Sequence, residues 1–289
     1  MMAPEYYTFT GRRIPPHVTH VVIDKALKFV PAEAFRRHPN IEEVIFRDGV
    51  KKIEERVFQD CSKLRRVIMP GVKRVERYAF HNCEALTYIE CGKLEIIEEL
   101  AFSWCTSLSS IDLPSIKILE SGAFSCCRPT NVKFGKDLES IGGGAFDCCL
   151  SLKRIALPLK DDMITHDDTF LYCDKLHHVD LVGGVYETVA ALLSEEWKSD
   201  MKEEIDAINH ILPNAAAGGI LKGGEKSQAI RTWIKSVLRK YIYYKAEHRR
   251  YVNEAAATLK LTLPHDIVLK NILPFVAVAL PSDTFEGED

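Results

Sequence analysis

Two hydrophobic rhythms divide this chain of 289 residues. Up to about residue 182, short runs alternate apolar and variable positions. They are Val44-Ile45-Phe46, Val67-Ile68-Met69, Ile89-Glu90-Cys91, Ile111-Asp112-Leu113, Val132-Lys133-Phe134, Ile155-Ala156-Leu157 and Val179-Asp180-Leu181. Apolar residues at period two give a short strand one buried face. After Gly183-Gly184 the spacing changes to three or four. Val189, Leu193, Trp197, Met201, Ile205, Ile208 and Leu212 predict one long helix over 186–212,. Ile230, Trp233, Val237, Tyr241, Tyr244, His248, Tyr251 and Ala255 predict a second over about 226–259,. Between them PNAAAGGILKGGEKS reads as a linker at about 213–225,. PHDIVLKNILPF reads as a short docking helix stopped by Pro274, and SDTFEGED as a frayed acidic tail,.

The strand signals belong to a longer period. Phe35, Phe58, Phe80, Phe102, Phe124, Phe146 and Phe170 are spaced by 23, 22, 22, 22, 22 and 24 residues. Three residues after each Phe stands Cys61, Cys83, Cys105, Cys127, Cys149 or Cys173, with His38 in the first copy. Six after the Phe comes Ile41, Leu64, Leu86, Leu108, Leu152 or Leu176. Pro70, Gly92, Pro114, Gly135 and Pro158 close the strands, as turn chemistry requires,. One such unit cannot bury its own apolar face, so successive units must stack as coils, each covering the next. The fifth copy departs from the grammar: Thr130 stands at the Leu position and the strand arrives one residue early, which predicts a local irregularity.

The order Leu, Ile/Val, Leu, Pro, Ile, Ala-Phe, Cys resembles the BspA-like leucine-rich repeats, over residues 18–182,. The resemblance implies an α+β architecture: a solenoid of about seven coils with a parallel strand per coil, then an α-helical cap or hairpin. It also implies a recognition solenoid. A 1–17 segment caps the N-terminus and residues 183–289 form a helical extension. The stretches WIKSVLRKYIYYKAEHRR and PHDIVLKNILPF resemble C-terminal extensions of some eukaryotic repeat proteins of this type, which implies a module that caps the last coil.

Charge changes the picture only locally. A net charge of -3 with pI near 6.4 gives no overall attraction to nucleic acid or anionic membrane,. Residues 195–206 carry a net of -4, whereas residues 226–250 carry +7, so the two predicted helices are expected to pair. The basic side, Arg231, Lys235, Arg239, Lys240, Lys245, Arg249 and Arg250 interleaved with tyrosines, offers an alternative function in nucleic-acid binding,. No apolar run near the first residues suits a signal peptide, and no segment supplies about 18 uncharged apolar residues. A cytoplasmic or nuclear protein with reduced thiols is the expectation.

Candidate chemistry is sparse. A cysteine repeated at one position in six coils is explained by stacking, since a catalytic site needs one Cys with distinct partners,. A column of parallel side chains also fails to converge on a tetrahedral metal. The doublets Cys126-Cys127 and Cys148-Cys149 each set one thiol off that column, which leaves a metal or redox pair open there. DDMITHDD, with Asp161, Asp162, His166, Asp167 and Asp168, offers carboxylates for a cation or, more simply, a solvated insertion loop,. GGILKGGEKS lacks the Gly-Lys-Ser/Thr ending of a phosphate loop, and neither Gly-x-Ser-x-Gly nor His-Glu-x-x-His occurs,. The reading is therefore a non-catalytic scaffold with no cofactor or metal. It binds a protein partner through the outward strand residues Glu43, Arg66, Tyr88, Glu90, Ser110, Asp112, Lys133, Arg154, His178 and Asp180,.

Overall fold

The structure, a computed structural model, describes residues 5–213 and 224–262. Most of the predicted linker, the helix expected in PHDIVLKNILPF and the acidic tail lie outside the described residues. In chain order the strands are β1 (Tyr7–Phe9), β2 (His20–Ile23), β3 (Phe29–Val30), β4 (Glu43–Phe46), β5 (Lys52–Ile53), β6 (Arg66–Ile68), β7 (Arg74–Val75) and β8 (Tyr88–Glu90). They continue as β9 (Ile96–Ile97), β10 (Ser110–Leu113), β11 (Ile118–Leu119), β12 (Asn131–Phe134), β13 (Ser140–Ile141), β14 (Arg154–Pro158) and β15 (His178–Val182). Three helices follow, α1 (Val185–Ala190), α2 (Glu195–Ile211) and α3 (Glu225–Thr262).

Every described ladder is parallel, and the coil has two of them. The longer strands stack as β1-β2-β4-β6-β8 and β10-β12-β14-β15, while two-residue strands on the return segments stack as β3-β5-β7-β9-β11-β13. The period-two pattern becomes a burial pattern: Ser110–Leu113 and Asn131–Phe134 alternate exposed and buried residues. Strands β1 and β2 precede the first of the seven predicted strand signals. The Val21-Val22-Ile23 run was the available clue.

The phenylalanines form a continuous stack. Ring centroids from Phe35 through Phe170 lie 4.7–5.9 Å apart with interplanar angles of 5–18°. Phe9 continues the column at 4.7 Å from Phe35, its ring tilted by 56°. The turn around each Phe from Phe35 to Phe146 is tight because residues two before and two after it are left-handed, and at Phe170 only the residue two after it is. Behind each Phe these are Arg37, Asp60, Asn82, Trp104, Cys126, Cys148 and Tyr172, with φ of 55–62°. Ahead of it, Gly122 and Gly144 take that conformation freely, whereas Glu33, Arg56, Tyr78 and Leu100 take it against L-residue sterics,.

The column cysteines pack and also donate. Each thiol is directed at the carbonyl of the preceding coil's Phe: Cys61 to Phe35 (3.0 Å), Cys83 to Phe58 (3.1 Å), Cys105 to Phe80 (3.3 Å), Cys127 to Phe102 (3.1 Å), Cys149 to Phe124 (3.2 Å) and Cys173 to Phe146 (3.0 Å). In the first coil His38 Nε2 serves instead, donating to Pro15 O at 3.1 Å. Burial raises the pKa of Cys83 and Cys127 well above the ordinary thiol value, so these groups are held as neutral donors,.

The fifth coil differs in detail from the sequence reading. Pro129, not Thr130, is buried at the Leu position, and Thr130 O accepts the Lys153 and Arg154 N–H groups at 2.9 and 3.2 Å. The turn after Cys127 is one residue shorter, and a proline ring fills the hole that Leu fills elsewhere. The single helix expected over 186–212 is two helices. Ser194 is extended (φ -99°, ψ 132°) and Glu195-Glu196 follow it, a start signal whose carboxylates suit a helix N-terminus,. The break lets α1 and α2 both pack on the last strand, β15.

Helices α2 and α3 pair as their charges predict. Lys240 Nζ bridges Asp200 (3.0 Å) and Glu204 (2.9 Å), Tyr244 donates to Asp200 at 2.8 Å, and Trp197 stacks on Tyr244 at 5.4 Å. The hydrogen bonds from Lys240 and Tyr244 hold the Asp200 carboxyl below its usual pKa. Its contribution is thus present above the unfolded value near 3.9 and is lost as pH falls through the lower folded value. We expect tryptophan fluorescence of the folded protein to report loosening of this pair in that acid range, and Asp200→Asn to flatten that limb. An unaltered acid profile in the variant would remove Asp200 as its cause.

Candidate interaction surface

Strand register gathers the predicted residues into two outward rows. The first runs His20, Glu43, Arg66, Tyr88, then Ser110, Asn131, Arg154, His178; the second runs Val22, Ile45, Ile68, Glu90, then Asp112, Lys133, Ala156, Asp180. Each row is interrupted between β8 and β10, which belong to separate sheets.

The two ends of this face are internally neutralised. At one end Glu43 accepts from Tyr6 Oη at 2.8 Å and pairs with Arg66 at 3.3 Å, and the Arg66 guanidinium lies 4.9 Å over the Tyr88 ring. At the other, Arg154 grips Asp180 with both guanidinium arms, Nη2 to Oδ1 at 2.8 Å, while His178 Nε2 lies 3.0 Å from the same carboxylate. Burial pushes the Asp180 pKa up, but the hydrogen bonds from Arg154 and His178 outweigh it and hold the group ionised,. The middle is open. Tyr88 is 45% exposed. Ser110, Asp112 and Lys133 are also exposed, and among the described residues Asp112 and Lys133 enter no ion pair.

The interruption has a sequence cause. Cys91 occupies the inward position held elsewhere by Phe46, Met69, Leu113, Phe134, Leu157 and Leu181, so this layer is underfilled. The unit spacing also places Glu90 opposite Asp112, and facing like charges oppose strand pairing,. The bonds by which Thr87 and Tyr88 reach Arg65 O are not repeated by Ser109 and Ser110 toward Thr87 O. A crevice of about 20 Å³ results, lined by Ile89, Cys91, Leu94, Phe102, Ile111, Leu113 and Phe124. The sequence reading singled out the residues of this face but not their division, which emerges only once coils are laid in register.

The basic residues of α3 are largely engaged. Lys235 lies 3.5 and 3.3 Å from Asp161 and Asp162, Arg231 contacts Asp167, and Lys240 is held by α2. Arg250 pairs with Glu247 at 2.8 Å, and Lys245 lies 5.7 Å over the Tyr241 ring. Arg239 and Arg249 are exposed. The DDMITHDD run is therefore a docking loop for α3 rather than a merely solvated insertion. Met163 and Ile164 are buried, and Asp168 accepts from Gly144 N–H at 3.2 Å. Among the described residues no three His, Cys, Asp or Glu side chains are grouped to hold a metal, and no described helix is long and apolar enough to cross a membrane.

No curated protein matches the chain. Among solved structures it is similar to a T. pallidum leucine-rich repeat protein, with 22% identity, TM-score 0.42, and 63% of this chain and 79% of that one covered. A leucine-rich repeat protein from Bacteroides ovatus has 21% identity and TM-score 0.41, with 59% of this chain and 53% of that chain covered. The pneumococcal vaccine antigen PcpA has 15% identity and TM-score 0.39, with 59% and 43% covered. The BspA type leucine rich repeat region matches in six copies over residues 28–134 and 95–193. Those matched copies, spanning more than half of a chain whose Phe, Cys and Leu columns stack on parallel strands, make it a member of the BspA type leucine-rich repeat family.

Proposed function

We propose that this protein is a non-catalytic, cytoplasmic or nuclear interaction scaffold whose partner protein docks on the middle of the exposed sheet, from Tyr88 to Lys133, while the helical extension closes the solenoid. The observation that carries this reading is the contrast along the face. Both ends satisfy their own charges, whereas Tyr88, Glu90, Ser110, Asp112 and Lys133 surround a break in the ladder. Members of repeat families of this kind are typically protein-interaction scaffolds, and unpaired charge beside an aromatic and an apolar crevice is the composition of a binding centre. Use of the column thiols as buried donors suits a compartment that keeps them reduced,.

The test is photocrosslinking. A photoreactive amino acid at position 88 is expected to trap a specific partner in the native cell, and one at position 140, on the second ladder, is not. With that partner in hand, Glu90→Lys together with Asp112→Lys should weaken binding at least about tenfold, since like-charge placement against a complementary surface costs several kcal/mol. An unchanged Kd in a variant with unchanged thermal midpoint would exclude this face. Cys91→Leu supplies the residue found at the same position in three later coils. It is expected to close the crevice and raise stability by about 0.5–2 kcal/mol, while weakening the partner. Urea unfolding and the same binding assay read the two effects separately.

A further inference from the structure

Seven of the nine cysteines are buried; Cys126 and Cys148 are partly exposed. These two occupy the same position in consecutive coils, two residues beyond Phe124 and Phe146, both left-handed with φ of 58° and 57°. Their backbones follow the ladder of that column, Cys126 N–H to Asp147 O at 2.8 Å and Cys148 N–H to Leu171 O at 2.9 Å. The column brings successive side chains into contact: Arg37 Nε donates to Asp60 Oδ2 at 3.3 Å, and Asn82 Nδ2 to Asp60 Oδ1 at 3.0 Å. The Cys126 and Cys148 side chains are neighbours in the same way, at equivalent positions of adjacent coils. Coils about 4.8 Å apart set the two Cα atoms within the 4.4–6.8 Å or so that a disulfide spans.

We propose that Cys126 and Cys148 form a thiol–disulfide exchange site that reacts with small-molecule disulfides of the glutathione class and closes into a reversible staple between coils five and six. In the first step the Cys126 thiolate attacks one sulfur of the glutathione disulfide. A Cys126–glutathione bond forms, the glutathione S–S bond breaks, and the released glutathione takes up the proton that Cys126 lost. In the second step the Cys148 thiolate attacks Cys126 Sγ and expels the second glutathione, which takes up the proton of Cys148. Two electrons pass from the cysteine pair to glutathione disulfide, and excess reduced glutathione runs the sequence backward. Burial and the Asp147 carboxylate hold the proton on both thiols; Cys126 is the entry point because the effect is larger on Cys148, whose pKa is pushed up to about 12,. The staple spans the coil in which Pro129 shortens the turn, and it leaves the six column thiols untouched, since their sulfurs already face Phe carbonyls.

The experiment treats the reduced full-length chain with glutathione disulfide at mildly alkaline pH, alkylates the free thiols without unfolding, and maps peptides by mass spectrometry under non-reducing conditions. The expected product is an intramolecular Cys126–Cys148 cross-link lighter by two hydrogens, reversed by reduced glutathione, with the buried cysteines alkylated only after denaturation. Cys148→Ser, a change at a partly exposed site, should stop the reaction at a Cys126–glutathione adduct. Full alkylation of Cys126 and Cys148 after treatment, separate adducts on both without a cross-link, or a cross-link only between two copies would each overturn the proposal.

Discussion

Phe102→Ala is expected to lower the stability of the solenoid by about 3–5 kcal/mol, among the largest losses available to a single side chain here. Phe102 is 1% exposed and sits between Phe80 at 4.9 Å and Phe124 at 5.2 Å, with interplanar angles of 5° and 7°. Removing it leaves two ring faces without a partner and a void bordered by backbone that adjacent coils hold in register. The void cannot collapse without shifting two ladders. It also opens into the crevice that Phe102 lines, so water gains a path to the column. Because each coil contacts mainly its neighbours, the loss should appear first as lost amide protection in coils three to five. Urea unfolding with hydrogen exchange tests this against Tyr88→Ala, an exposed site for which a change within about 0.5 kcal/mol is expected. Equal losses in the two variants would mean that the Phe column is not the spine of the fold.

That column was legible in the sequence because stacking tolerates little variety. A side chain that faces its own counterpart in the next coil must match it in volume, and so Phe, Cys and Leu recur at fixed spacing. The left-handed positions were not legible. Arg56, Leu100 and Trp104 have no intrinsic preference for positive φ and adopt it because the Phe turn on both sides imposes it,. Pro129 was hidden for a related reason: counting from Phe124 points to Thr130, and only the ladder bonds to Thr130 O reveal the shortened turn.

The candidate surface was legible as a list of outward residues and illegible as a shape. Periodicity says that Glu90 and Asp112 point outward. That two facing carboxylates and an undersized Cys91 open the sheet follows only from the alignment of neighbouring coils. The basic helix shows the reverse difficulty. Arg231 and Lys235 look like a free cationic face along the sequence, but their partners Asp167, Asp161 and Asp162 arrive from a loop more than sixty residues earlier.

Lys226 belonged to that same basic count and proves to be buried. Its Nζ donates to the carbonyls of Cys173 (2.8 Å), Asp174 (2.9 Å) and Leu176 (2.7 Å), so all three ammonium protons are used on the open end of the last coil,. The residue beside it completes the mimicry of a missing coil. In every inner coil the Phe N–H donates to a backbone carbonyl of the next coil, and for Phe170 the acceptor is Ser227 Oγ at 3.3 Å. On the strand side Asn209 Oδ1 accepts the Val179 N–H at 2.9 Å. Lys226→Met keeps the stem and removes the donors, leaving three carbonyls under a helix that excludes water. At the lower end of the cost of an unsatisfied buried acceptor, the loss is about 3 kcal/mol. Ser227→Ala should cost less, about 1 kcal/mol for one hydrogen bond. The damage is expected to be local: hydrogen exchange should speed up in coil seven and at the start of α3, while coils two to four keep their protection, because a solenoid passes stability only to its neighbours. Unchanged protection of coil seven in Lys226→Met would show that the helix covers the solenoid without holding it. Uniform loss along the chain would show instead that the coils unfold as one unit and that the end cap governs them all.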